Sequence, residues 1–364
     1  MPSPNPMRWT TLPAQRLLKQ PELQQQWDQL NAARLDLPFL SASAVGAALQ
    51  VFGQGQERLL LAKDEAGQPL AMLLLAPAGP LRWATFQPSQ LPLGAWVAQP
   101  EVSATTLCRS LLRGPLGFSL VVSMTQVDPL LAPREADVPD TRHTDYIPTA
   151  WLEIEGSFDD YWAARGKNLR QNLRKQRNKL AADGVDTTLR LWRAPEDMAP
   201  ALARYGALES GGWKAGHGTA IHPDNAQGRF YLQLLKAAAA RGEALVTEYL
   251  FNDRTVAMNL GVLRGGTWVV LKTTYDESVP KTLSPASLLR EEELKFLFGQ
   301  REIRRIEYYG RVMEWHTKLT DRQRTLYHLT TYRWPWLKSL PRRRTEQPHD
   351  GADAETAAPA EGTP

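Results

Sequence analysis

The chain has 364 residues, of which 43% are hydrophobic and 23% charged, and its net charge is +4. These values fit a soluble globular protein of two domains and exclude a surface that grips nucleic acid over its whole area. A single cysteine, Cys108, excludes an intramolecular disulfide and a cysteine-based zinc site.

The start of the chain lacks the apolar core of a signal peptide, and the longest apolar run, "PLAMLLLAPAG", is too short to cross a bilayer. The expectation is a cytoplasmic protein without a transmembrane segment, with peripheral membrane contact left open. In chain order, "PELQQQWDQLNAARL" and "ASAVGAALQVFG" read as helices. "ERLLLAK" and "PLAMLLLAP" read as strands joined by the turn "DEAGQ". "RWATFQ" adds a strand, "VSATTLCRSLL" a helix that buries Cys108, and "FSLVVSM" a further strand. The Pro-rich, charged stretch "DPLLAPREADVPDTRHTDYIP" reads as a loop that closes a first domain at residue 148.

The second half starts with the strand "AWLEIE" and a helix whose N-cap is Ser157, followed by two acids in its first turn. After the strand "VDTTLRLWR" come helices around "PEDMAPALARYGALES" and "AQGRFYLQLLKAAAARG". Three strands, "EALVTEYLF", "TVAMNLGVLR" and "TWVVLKTTY", are joined by "ND" and "GG", both two-residue hairpin signals. The helix "SPASLLREEELKFLFG" and the strands "IRRIEYYG" and "TLYHLTTYR" complete a domain over residues 149–338. Residues 339–364 have almost nothing to bury and are expected to be disordered. The fold class is therefore α+β.

Seven cations crowd residues 165 to 180, and no acid lies between Tyr161 and Ala182. At 100° per residue, Phe158, Trp162, Leu169, Leu173 and Leu180 share one sector, so this stretch is an amphipathic helix packed on a sheet. Lys167, Arg170, Arg174 and Arg177 fall on the other side. They are either a solvated face or a contact for an anion: a phosphate-bearing cosubstrate, an anionic glycan or lipid surface, or RNA.

The six histidines show no metal-ligand spacing, so no metal is expected. No nucleophile elbow, phosphate loop or dinucleotide fingerprint is present. Interest falls on "DESVPKTLSPASLL", where Ser284 is placed as an N-cap and Pro285 at the first helical position. The free amides of Ala286, Ser287 and Leu288 make such a helix start an anion site, and Lys281 stands beside it. An ordinary capped helix is the alternative. "GGWKAGHGTAI" spends four glycines on a loop that carries Trp213 and Lys214, which suits a substrate-facing segment.

"SFDDYWAARGKNLRQNLRKQRNKL", "GALESGGWKAGHGTAI", "FNDRTVAMNLGVLRGGTWVVLKTTYDESVPKTLSPASLL" and "IEYYGRVMEWHTKLT" resemble, in that order, GNAT-type acyltransferases of the CelD-like family. That family is associated with cellulose and exopolysaccharide biosynthesis and is similar in build to Fem-type aminoacyltransferases. The resemblance covers residues 150 to 333. It implies two tandem GNAT-like domains, each a mixed, mostly antiparallel sheet flanked by helices, with the first degenerate and supporting. It also implies acetyl-CoA or another acyl-CoA as donor, and an amine or hydroxyl of an envelope polysaccharide precursor as acceptor. The family commonly has Gly where this chain has Ala286.

In the family's layout the thioester lies between the strand ending at Tyr275 and Asp276 and the one ending at Tyr308 and Tyr309. Tyr275 or Tyr309 would then act as general acid toward the thiolate, and Glu248 as the base for the acceptor. Asp276, Trp315 and Lys318 would border the acceptor, with Lys214 reaching its oxygen. Packing and surface ion pairing are the alternatives for each. Two further readings stay open. One is a Fem-type enzyme using charged tRNA along Lys167, Arg170, Arg174 and Arg177. The other is a non-catalytic module docking on anionic glycan or membrane.

Overall fold

The computed structural model describes residues 7–211, 220–280 and 282–340. Trp213, Lys214, Lys281 and the tail beyond Leu340 lie outside the described residues. Residues 339 and 340 close a short 3-10 turn over Pro335–Ser339.

The first half contains β1 (Arg8–Pro13), α1 (Arg16–Lys19), α2 (Pro21–Ala32), α3 (Ala42–Phe52), β2 (Arg58–Lys63) and β3 (Pro69–Pro77). It continues with β4 (Arg82–Thr85), β5 (Trp96–Ala98), α4 (Ala104–Leu111) and β6 (Val121–Val127). The second half contains β7 (Thr141–Glu153), α5 (Phe158–Ala163), α6 (Lys167–Ala182), β8 (Thr187–Trp192), α7 (Pro195–Gly211) and α8 (Ala226–Ala239). After these come β9 (Ala244–Phe251), β10 (Arg254–Arg264), β11 (Thr267–Tyr275), α9 (Pro285–Phe298), β12 (Arg305–Glu307), α10 (Glu314–Leu319) and β13 (Gln323–Tyr332).

All the strands join one 13-stranded sheet in the order β1-β2-β3-β4-β6-β13-β7-β12-β11-β10-β9-β8, with β5 paired to β3. The architecture is α+β with two units of similar build side by side. The last strand, β13, leaves the second unit and inserts between β6 and β7, so its pairing welds the units together. The hairpins at Asn252–Asp253 and Gly265–Gly266 form as their sequence demands, with Asn252 and both glycines at positive φ.

Three expectations are corrected. The Pro-rich loop ends at Thr141, and residue 148 falls inside β7, because Thr141–Ile147 pairs with β13 from the far end of the chain. The basic helix is two helices: the chain breaks at Gly166, the N-cap of α6. β1, β5 and α10 are additional elements; β1 is an edge strand whose residues stay largely exposed.

On one face of the sheet α1–α3, α7 and α8 share a single apolar core that runs across both units. The opposite face is covered by α4 in the first unit and by α5, α6, α9 and α10 in the second. Cys108 is fully buried on the inner face of α4, and burial pushes its thiol up to about 12, which makes it a packing residue rather than a nucleophile.

Candidate active site

β11 and β12 run parallel but pair at only three rungs, the last being Val269 with Glu307. Beyond that rung β11 continues to Tyr275, whereas the other chain turns away through Tyr309, a non-glycine residue held at φ +49°. A wedge therefore opens between the two strands, with the backbone edge of β11 beyond Val269 unpaired by β12. Inside the wedge β11 carries a bulge: Leu260 pairs with Lys272 but Gly261 with Val270, which leaves Leu271 as the extra residue. Gly261 is needed there, because a Cβ would stand 2.2 Å from Trp268 Nε1 and 2.9 Å from the Val269 carbonyl.

Nine residues after β11 ends, α9 begins. Ser284 occupies its N-cap and Pro285 its first position, but the serine hydroxyl donates to Ser287 Oγ at 2.8 Å and accepts no helix amide. The amides of Ala286 and Ser287 thus keep no intrahelical acceptor and are the natural anion donors of the site. Leu288 is different: its amide donates to the Ser284 carbonyl and its side chain is fully buried, so it is not a donor contact. The Ala286 side chain is covered as well, at 8% exposure. Gln176 of α6 fixes the approach to the helix by accepting from the Ser284 amide at 2.9 Å.

Asp276 shapes this loop. Its carboxylate accepts from the Ser278 amide and hydroxyl and pairs with Arg254. Burial raises that carboxyl, but these donors outweigh it and hold it below its ordinary value. Tyr275 is 41% exposed at the end of β11. It stands four residues past the bulge, roughly 13 Å at the rise of a strand, so it lies toward the α9 end of the wedge rather than its apex.

Tyr309 is level with the apex, yet its hydroxyl is committed: it donates to Asp128 Oδ2 at 3.0 Å, and its ring packs edge-on against Phe39. Burial drives its ionisation far above the ordinary range. Asp128 also receives a bidentate pair from Arg324, whose guanidinium reaches Glu307 Oε2 at 2.9 Å. This buried group ties the first unit to the wall of the wedge. Burial lifts the Glu307 carboxyl to about 7 in spite of Arg324 and Arg305.

Glu248 has a different task from the base expected of it. It is 1% exposed, on β9, and accepts from Trp192 at 2.6 Å, Thr255 at 2.5 Å and both arms of Arg204. Burial raises its carboxyl, but Arg204, Thr255 and Trp192 together pull it below its usual value. Four donors occupy its lone pairs, leaving none for an acceptor proton.

The basic stripe of α6 also resolves into local contacts. Arg177 bridges Glu291 and Glu292 of α9, and Arg170 donates to the Arg165 carbonyl. Arg174 and Lys167 are exposed. The stripe is centred roughly 140° around the helix from Gln176, the residue that touches the donor loop, so it does not aim at the α9 N-terminus. Trp315 stacks on His316 and under Arg290, with Tyr308 edge-on to both rings, and so builds the other wall of the wedge. Burial pushes His316 down to about 3, which keeps it neutral. Lys318 pairs with Glu314 on the outer side of α10.

Sequence reasoning missed a pair on the face opposite α9. Lys272 follows the bulge, and its ammonium lies 3.8 Å from Glu209, a fully buried carboxylate on α7 that also accepts the Ile221 amide. Tyr231 flanks Lys272. "GALES" gave no sign of this, because the two residues meet only through the packing of α7 on the sheet. A shallow depression lined by Glu153, Gly266 and Arg304 lies at the opposite end of β11 and β12, away from the wedge. Among the described residues no group of His, Cys, Asp and Glu is arranged to hold a metal ion. No described helix is long and apolar enough to cross a membrane.

Residues 167–333 match the family model of the acetyltransferase (GNAT) domain. The fold is similar to a C-terminal domain assigned to a lysylphosphatidylglycerol synthetase of Agrobacterium fabrum (13% identity, 84% of this chain and 92% of that one, TM-score 0.53). It is also similar to a conserved protein of unknown function from Bacteroides thetaiotaomicron (12% identity, 85% and 96%, TM-score 0.51). L-PGS from Bacillus licheniformis aligns at 14% identity over 84% of this chain and 91% of that one, with a TM-score of 0.46. No curated protein matches the sequence. At these identities the likeness is one of fold. Residues 167–333 carry a GNAT acetyltransferase domain, which supports an acyltransferase enzyme.

Proposed function

We propose that the enzyme transfers an acetyl group from acetyl-CoA to an amine or hydroxyl acceptor by direct attack on the thioester. The observation that carries this reading is the wedge between β11 and β12 opening toward an α9 whose first amides are left uncapped. The pyrophosphate is matched to the amides of Ala286 and Ser287, with Lys281 as a further contact. The pantetheine amides complement the unpaired edge of β11, and the thioester then reaches the bulge at Leu271, where a backbone amide can receive the oxyanion.

The acceptor approaches from the Lys272 and Glu209 face. Its nitrogen or oxygen bonds to the carbonyl carbon, the carbon–sulfur bond breaks, and the acceptor proton leaves to water. Tyr308, level with the apex, returns a proton to the thiolate. An envelope polysaccharide precursor is the acceptor class the sequence resemblance favours. Steady-state kinetics against a panel of amino sugars and hydroxylated glycans tests this. Acetyl transfer to such a glycan supports the reading; transfer only from charged tRNA would replace it with the Fem-type one.

A further inference from the structure

Five of the exposed large apolar side chains gather at one corner of the first unit. Phe118, Trp336, Leu340, Leu81 and Trp334 are 60%, 59%, 54%, 45% and 40% exposed. Phe118 lies 6.1 Å from Trp334, which stacks on Trp336 at 5.9 Å with an interplanar angle of 10°. The Leu81 backbone runs beside the Phe118 segment, its carbonyl accepting from the Leu120 and Val121 amides.

This corner is not a frayed end. Arg333 donates to the Ser119 carbonyl at 2.6 Å while its guanidinium lies 5.1 Å from the Phe118 ring. Lys338 donates to the Val138 carbonyl at 3.1 Å, and Arg142 donates to the Lys338 carbonyl. The backbone is pinned and the aromatic faces are left outward. Large contiguous apolar surface of this kind on a soluble fold marks an interaction site.

We infer that this corner docks on an anionic lipid bilayer surface. Two tryptophans, a phenylalanine and two leucines supply the amphipathic and apolar groups that settle at the headgroup boundary. The next four residues of the chain are Pro341, Arg342, Arg343 and Arg344, a cationic cluster that complements anionic headgroups. The orientation suits the enzyme: β12 and β13 are both antiparallel to β7 and so point the same way. The wedge opens at the C-terminal end of β12, and the patch follows the C-terminal end of β13. Docking would thus bring the mouth of the wedge toward the membrane.

Co-sedimentation of the full chain with vesicles tests this, using phosphatidylcholine alone and phosphatidylcholine with one third phosphatidylglycerol. Binding to the anionic vesicles is expected, falling at least about tenfold in a Trp334→Ser/Trp336→Ser variant and in high salt. Arg342→Glu/Arg343→Glu/Arg344→Glu should lose the preference for phosphatidylglycerol. Unchanged melting temperature and unchanged acetyl-CoA binding in both variants would show that fold and donor site are intact, separating this inference from the donor reading. Wild-type protein that binds neither vesicle, or a tryptophan variant that binds as well as wild type, overturns it. So does a concentration-dependent dimer, seen by light scattering, that the tryptophan variant abolishes.

Discussion

The two units repeat one plan and differ where their parallel strands part. In the second unit β11 and β12 diverge and nothing described fills the wedge. In the first, β4 and β6 pair in parallel from Arg82–Val121 to Ala84–Ser123, and the gap beyond is stitched shut. Thr85 Oγ1 lies 2.8 Å from Thr125 Oγ1 and accepts the Thr125 amide at 2.9 Å, while the Gly94 amide donates to the Thr125 carbonyl. A Cβ at Gly94 would stand 2.3 Å from Thr85 Oγ1, so the closure depends on glycine.

The helix starts diverge in the same sense. Ser103 at the start of α4 accepts the Thr106 amide and donates to Glu135, which puts an acid where an anionic ligand would have to sit. Ser284 leaves its helix amides free. A shared fold therefore does not imply a shared site: one unit has spent its wedge and helix dipole on packing, and the other has kept them open.

The strongest way to break this contrast is Ala286→Asp, which places a carboxylate at the open helix start. Acetyl-CoA affinity measured by calorimetry should fall at least about a hundredfold, some 2.8 kcal/mol at 1.4 kcal/mol per tenfold, with retained folding checked by circular dichroism because the Ala286 side chain is covered. Gly94→Ala should act in the opposite sense. Overpacking the stitched gap is expected to cost about 1 to 3 kcal/mol in denaturant unfolding while donor affinity stays unchanged.

Tyr309→Phe removes the bond from the wedge wall to Asp128 of the first unit. A loss of about 1 kcal/mol in stability is expected, with a rise in KM for the donor and little change in kcat. A matching fall in kcat instead would assign Tyr309 to the chemistry.

Glu293 gives a pH test of α9, the helix proposed to hold the donor. Its carboxyl is 4% exposed, accepts from Asn259 at 2.7 Å and from Thr247, and is raised by burial from 4.5 to about 7. The folded state holds this proton more tightly than the unfolded chain, so stability falls as pH rises between these two values and stays lower above them. The slope is at most about 1.4 kcal/mol per pH unit. Thermal melts of Glu293→Gln should lack that slope. The smallest effect belongs to Ser284→Ala: because the hydroxyl bonds Ser287 and not the helix amides, donor affinity should change less than about threefold.

Much of the fold was legible because local signals agreed with the tertiary outcome. The alternation and turn residues of β9 to β11 and the "SPASLL" helix start all formed as read. The insertion of β13 beside β6 was illegible, since the pairing of Tyr332 with Val121 joins residues that no sequence period relates. The site was legible as backbone and illegible as chemistry. The strand and helix ends that bound the wedge could be read from the sequence, but the turn of the Ser284 hydroxyl to Ser287 instead of the helix amides could not. The fate of Glu248 was decided by Trp192 and Arg204, and that of Tyr309 by Asp128, partners that only packing brings together.

The central claim is one donor site, in the second unit. Calorimetric titration of acetyl-CoA into wild type and Ala286→Asp tests it most directly. One site per chain in wild type, lost in Ala286→Asp, is the predicted result. Two sites per chain, or binding that Ala286→Asp leaves intact, would contradict it.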